Sequence, residues 1–248
     1  MKSTDDASSG VPAGDYFATT RWTVVVSAGH KSSPQSDRAL GELCQTYWYP
    51  LYAYVRHQGH RKEDAEDLVQ GFFGRFLEKN YLEGLSAERG KFRAFLLASL
   101  KHFLANEWDK SQRQKRGGAI PHLSLDWQSA DDRYHLEPPD PESPDRTFDH
   151  QWALVLLERV LGRLRQESAA QGKAKLFEQA RSFLGAGGPA IDYAQAASAL
   201  GTETGAVRVA VHRLRKRYRE MLRQEIAQTL CDPAQVAEEL ESLRAALM

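Results

Sequence analysis

The sequence predicts an all-α chain of two small helical domains joined by an acidic, proline-rich linker. Three observations carry this expectation: apolar residues recur at spacings of three and four in both halves, no segment alternates like a half-buried strand, and the middle of the chain replaces periodicity with prolines and carboxylates. At 248 residues and 42% apolar content, the chain can build two modest cores. The expected organisation is an N-terminal extension over 1–35, a first domain over 36–116, the linker over 117–150, a second domain over 151–226 and a C-terminal helix over 227–248.

Residues 1–15 are rich in Ser, Asp, Gly and Ala without periodicity and read as a disordered start, while the apolar stretch 20–26 fits helix or strand equally. Ser36 or Asp37 can cap a first helix whose Leu40, Leu43, Tyr47, Leu51, Tyr54 and Val55 build one apolar face, and Gly59 ends it. A second helix starts near Lys62 with Glu63, Asp64, Glu66 and Asp67 early in it, and is expected to bury Leu68, Phe72, Phe76 and Leu77. A third runs from Phe92 to about Gln112 with Phe92, Leu96, Leu100, Phe103 and Leu104 inward.

Pro121, Pro138, Pro139, Pro141 and Pro144 mark the linker. Helices resume with Trp152, Leu156, Leu157, Val160, Leu161 and Leu164, then Leu176, Phe177 and Phe183, before the break at Gly185-Ala186-Gly187-Gly188-Pro189. Asp232-Pro233 opens the last amphipathic helix, with Val236, Leu240, Leu243 and Leu247 on one face.

Net charge is zero, but the charges are segregated. Arg89, Lys91, Arg93, Lys101, Lys110, Arg113, Lys115 and Arg116 face only Glu107 and Asp109 within their block. Between 126 and 149 eight carboxylates oppose Arg133 and Arg146. A second basic block holds Arg208, Arg213, Arg215, Lys216, Arg217, Arg219 and Arg223 against Glu220. Two cationic surfaces flanking an anionic tether suit a chain that touches nucleic acid twice. Cys44 and Cys231 are far apart without ligand spacing, so neither a disulfide framework nor a zinc site is expected. No run approaches the roughly 18 apolar residues of a membrane span, so a cytoplasmic protein is expected.

The segment from Tyr193 to Val207 has helix-turn-helix spacing. Ala197 lets two helices approach, Gly201 tolerates a left-handed turn, and Thr202 can cap the second helix. In that helix Val207, Val211, Leu214 and Tyr218 form an inward stripe, which leaves Thr204, Arg208, His212, Arg215 and Arg219 opposite as the candidate base-reading face. Arg213, Lys216 and Arg217 flank it and suit phosphates. In the first half, His102, Asn106, Asp109 and Arg113 share a polar face able to hydrogen-bond an unstacked base, and Phe92, Phe95 and Trp108 offer stacking surfaces, with core packing the stronger reading for Phe92.

Read together, the two halves resemble the extracytoplasmic-function group of the sigma-70 family of RNA polymerase sigma factors. Asp64-Ala-Glu-Asp-Leu-Val-Gln70, followed by Phe72-Phe73, is similar to that group's region-two signature. Phe92-Arg-Ala-Phe-Leu-Leu97, with the helix through Asn106 and Asp109, resembles its minus-ten melting stretch, and Tyr193 to Glu220 its region-four helix-turn-helix. The chain departs from the group at Gly71 and His102, and in lacking a Leu-Pro-Pro-rich start to region four.

The resemblance implies a promoter-recognition subunit and not an enzyme, with no cofactor. Asp64, Glu66, Asp67 and Gln70 would bind the clamp helices of core RNA polymerase, and the second domain its flap. Arg93, Lys101, His102, Asn106, Trp108, Asp109, Lys110 and Arg113 would serve minus-ten DNA, and Thr204, Arg208, His212, Arg213, Arg215, Lys216 and Arg217 minus-35 DNA. An anti-sigma factor is a further implied partner. The competing readings are a sigma-like signalling mimic that binds an anti-sigma factor and a dimeric helix-turn-helix regulator. A metal role for His57 and His60 lacks a known ligand spacing, and no phosphate-cradling loop or nucleophile-and-base set is visible.

Overall fold

The computed structural model describes Arg21 and residues 34–77, 91–111, 126, 130, 132–134, 143–181, 184 and 192–248, without the side chains of Ser36, Asp37, Leu43, Leu77, Asp109, Lys110, Ser111 and Pro233. The expected stretch 20–26 apart from Arg21, Phe183 and the break at 185–189 lie outside it, as do the caps expected of Ser36 and Asp37. Among the described residues the regular elements are all helical, with one isolated bridge between Lys91 and Leu230. They are α1 (Pro34–His57), α2 (Lys62–Leu77), α3 (Phe92–Ser111), α4 (Pro144–Ala170), α5 (Ala174–Ala180), α6 (Tyr193–Leu200), α7 (Thr204–Ala227) and, after a 3₁₀ turn over Pro233–Gln235, α8 (Val236–Ala246).

The first helix starts two residues ahead of the expected cap, with Pro34 pre-set for a helical first turn, and ends where Gly59 adopts φ +92°. Its apolar face forms as expected, and Leu40, Tyr47, Leu51, Tyr54 and Val55 are all buried. Its other side is buried as well: every residue from Tyr49 to Val55 is buried, the signature of a helix covered all round. On one side lie α2 and α3, which contribute Val69, Phe72, Phe73, Phe76, Phe92, Leu96, Leu100 and Phe103. Leu68, expected inside, is only half-buried; Ala65 and Val69 take the inward positions instead.

On the other side lies α4. It begins at Pro144 inside the expected linker, because Ser143 accepts from the Arg146 backbone N–H and Pro144 occupies the first turn. Phe148, Trp152, Leu156, Val160 and Leu164 are buried, and the Trp152 indole N–H donates to the Tyr47 hydroxyl at 3.1 Å. Parts of the linker pack too: Ala130 is buried, and the Arg133 guanidinium lies 4.4 Å above the Tyr49 ring. The buried apolar side chains of both halves of the chain thus form one cluster among the described residues.

Two buried carboxylates tie the helices together. Glu225 on α7 receives Arg21 at 3.0 Å, Arg159 at 2.9 Å and Arg163 at 2.6 Å. Arg159 also donates to Thr46 on α1 at 2.6 Å, so the cluster links α1, α4 and α7. Glu239 on α8 pairs with Arg93 and, at 2.9 Å, with Lys91. Both carboxylates interrupt apolar stripes: Glu225 follows Met221 by four residues, and Glu239 precedes Leu243 by four. A buried charge in such a place needs fixed counter-charges, which these arginines and lysine supply.

Candidate nucleic-acid interface

The first candidate surface is an open cleft of about 650 Å³ between α2 and α3. Asp64 and Asp67 from α2 and His60 form one rim, and Lys101 and Trp108 from α3 the other, above a floor of Leu68 and Leu104. Trp108 is 67% exposed and lines the cleft, where its indole offers an apolar face. Phe92 has the opposite fate: it is fully buried, against Tyr47 and Phe76.

The cleft brings together two groups for which the resemblance implies different partners, the acidic residues of α2 and the edge of α3 that carries Lys101 and Trp108. Glu66 and Gln70 are half-buried beside the exposed Asp64 and Asp67. His102 is exposed and Asn106 half-buried, but neither lines the cleft; at about 100° per residue His102 lies about 120° around α3 from Trp108. The expected polar face and the stacking surface are therefore two strips of one helix. The side chains of Asp109 and Lys110 and all of Arg113 lie outside the described residues.

Two basic residues at this end, Lys101 and Arg93, are engaged by carboxylates. Lys101 is 2.7 Å from Asp145 on α4, and that hydrogen bond raises the lysine's pKa. All three guanidinium nitrogens of Arg93 are bound, two by Glu239 and one by Asp149, and the group lies 4.6 Å above the Trp152 ring. Burial pushes the Asp149 carboxyl up despite Arg93 beside it.

The second surface is the helix-turn-helix of α6 and α7. Asp192 caps α6 by accepting from Ala194 and Gln195 at 3.0 Å. Gly201 takes φ +63°, and the Thr202 N–H returns to the Ala197 carbonyl at 3.0 Å, closing the turn as the glycine predicts. The cap of α7 differs from expectation: Glu203, not Thr202, stands at the N-cap, and its side chain makes no capping bond. Val207, Val211, Leu214 and Tyr218 are buried, so the stripe holds.

Opposite that stripe, Arg208, His212, Arg213, Lys216 and Arg219 are exposed, while Thr204 and Arg215 are half-buried. Arg208 sits 5.3 Å above the Tyr193 ring at the start of α6, a stacking contact that limits its rotamers. Arg217, expected at a phosphate, is instead held by both Glu167 oxygens on α4, at 2.9 and 2.8 Å. That pairing holds the Glu167 carboxyl below the usual range.

Sequence reasoning missed Tyr193 as the support of Arg208, and Glu225 and Glu239 as buried anchors; a carboxylate within an apolar stripe was the available signal for the last two. His57 Nδ1 lies 2.9 Å from the Thr147 hydroxyl, and no group of three or more His, Cys, Asp or Glu suited to a metal occurs among the described residues. Both cysteines are free, and burial pushes the Cys44 thiol far up. No helix among the described residues is long and apolar enough to cross a membrane. Compared with known proteins, the chain matches no family model, no curated protein and no solved structure.

Proposed function

We propose that this chain is a sigma factor of the extracytoplasmic-function type, a cytoplasmic subunit that binds core RNA polymerase and directs it to promoters. The observation that carries this reading is Trp108, an exposed indole on α3, across a cleft from the exposed carboxylates Asp64 and Asp67. A flat apolar ring exposed in the same cleft as Lys101 is suited to stack an unpaired base, worth about 1–3 kcal/mol per base. Exposed carboxylates on the facing helix suit a basic protein partner. The helix-turn-helix adds a cationic face for duplex DNA, with Arg208 pre-positioned on Tyr193 near the N-terminal end of the reading helix.

On this reading the chain performs no bond-making chemistry. Asp64, Glu66, Asp67 and Gln70 hold polymerase, the α3 edge captures the opened minus-ten strand, and α7 grips the minus-35 duplex. Co-migration of the purified chain with core polymerase in gel filtration tests it. Stoichiometric association supports the reading. Tight binding to duplex DNA as a dimer, with no association with core, favours a helix-turn-helix regulator instead.

A further inference from the structure

We infer that α8 and the first two turns of α4 form an electrostatic latch that occupies the basic surface of α3 and must release before that surface can take promoter DNA. The inference rests on the promoter-binding reading above and adds a closed state to it. Its basis is charge pairing. Arg93 has every guanidinium nitrogen committed, to Glu239 and Asp149. Lys91 holds Glu238 at 2.7 Å and Glu239 at 2.9 Å, and Lys101 holds Asp145 at 2.7 Å. Each carboxylate offsets a cation and takes an N–H that a phosphate oxygen would otherwise take.

The rest of the fold holds the latch in register. The Phe92 N–H donates to the Thr229 carbonyl at 3.1 Å, which fixes the segment before α8 to the start of α3. At the far end His150 Nδ1 meets the Ala246 carbonyl at 2.8 Å. Glu239 is buried while Glu238 and Asp145 are largely exposed, so the latch has a buried anchor and a solvated rim. The rim is where a competing polyanion first gains access.

Glu238→Gln with Asp145→Asn neutralises the rim and leaves the anchor in place. Glu63→Gln with Asp132→Asn removes the same charge from exposed positions outside the latch and serves as the control. Binding of each full-length double variant to a fluorescent single-stranded 25-mer is read by anisotropy at low salt. The rim variant is expected to bind about fivefold tighter than the control, the effect of freeing two partly exposed ion pairs. In the wild-type chain, the same DNA is expected to speed amide exchange across Val236–Ala246. Equal affinities of the two variants, or an α8 that stays fully protected in the DNA complex, would overturn the latch. The two proposals fail separately: a chain whose α8 is released by DNA yet never directs core polymerase keeps the latch and loses the promoter reading, and a chain that directs polymerase with α8 still protected does the reverse.

Discussion

Replacing Trp108 and Phe92 by alanine, one at a time, separates a side chain held for function from one held for packing on the same helix. Phe92 is fully buried, and its ring lies 5.0 Å from Tyr47 and 6.5 Å from Phe76, centroid to centroid. Its removal leaves a cavity costing about 3–5 kcal/mol. In a chain of this size each kcal/mol moves the melting temperature by about 2–4 °C, so Phe92→Ala should melt about 6–20 °C lower. Trp108 is 67% exposed, and Trp108→Ala should change stability by about 0.5 kcal/mol or less. Its cost should appear elsewhere. Loss of one base stack worth about 1–3 kcal/mol lowers the open-complex equilibrium about 5- to 150-fold. Circular dichroism melts and permanganate footprinting of the minus-ten region read the two quantities independently. A Trp108→Ala protein that melts many degrees lower, or that opens promoters at the wild-type level, would refute the reasoning.

Asp67→Arg places a cation on an exposed position of α2 and should weaken association with core polymerase by at least tenfold without changing the melt; competition against the wild-type chain for core measures it. Arg208→Ala should relax preference at one minus-35 position, a loss of about 1–3 kcal/mol in discrimination, whereas Lys216→Ala should weaken all sequences alike and reduce the salt slope by about one. Transcription of a randomised minus-35 library distinguishes them, and Tyr193→Ala should reproduce part of the Arg208 effect because it removes the ring on which that guanidinium rests. Glu225→Gln leaves three arginines around an uncharged amide and should cost about 3 kcal/mol, read as an 6–12 °C lower melt. The Glu167 carboxyl titrates below its ordinary value when folded, so its stabilisation is complete above the ordinary carboxylate pKa and is lost as pH falls through the lowered one; acid unfolding of Glu167→Gln should lack that component.

Helix existence was legible because local rules decide it. The spacing of Val207, Val211, Leu214 and Tyr218, and the glycine at 201, required nothing beyond the chain's own periodicity, and both appear as expected. Two starts shifted because proline set them: Pro34 and Pro144 each open a helix ahead of the periodic apolar residues. What periodicity cannot encode is which faces meet. The uninterrupted apolar run from Tyr49 to Val55 signals a helix buried all round, but only the fold shows that α4 covers its second side.

The candidate sites divide in the same way. The exposure of Arg208, His212 and Lys216 follows from the stripe opposite them. The engagement of Arg93, Lys101 and Arg217 by Glu239, Asp145 and Glu167 joins residues 44 to 146 positions apart, and charge counting along the sequence could only report that opposite charges were plentiful. Asn106 on the expected polar face and Trp108 among the expected stacking rings are two residues apart, and the helix turns them to different strips.

The central claim is that this chain makes core polymerase promoter-specific, and run-off transcription tests it most directly. Core enzyme is mixed with a library of randomised promoter fragments, with and without the purified chain, and the transcripts are sequenced. The account predicts that adding the chain yields transcripts from a defined start, enriched for two upstream elements, and that Asp67→Arg abolishes them without loss of fold. Identical transcript pools with and without the chain, under conditions where the protein is folded and core is active, would contradict it.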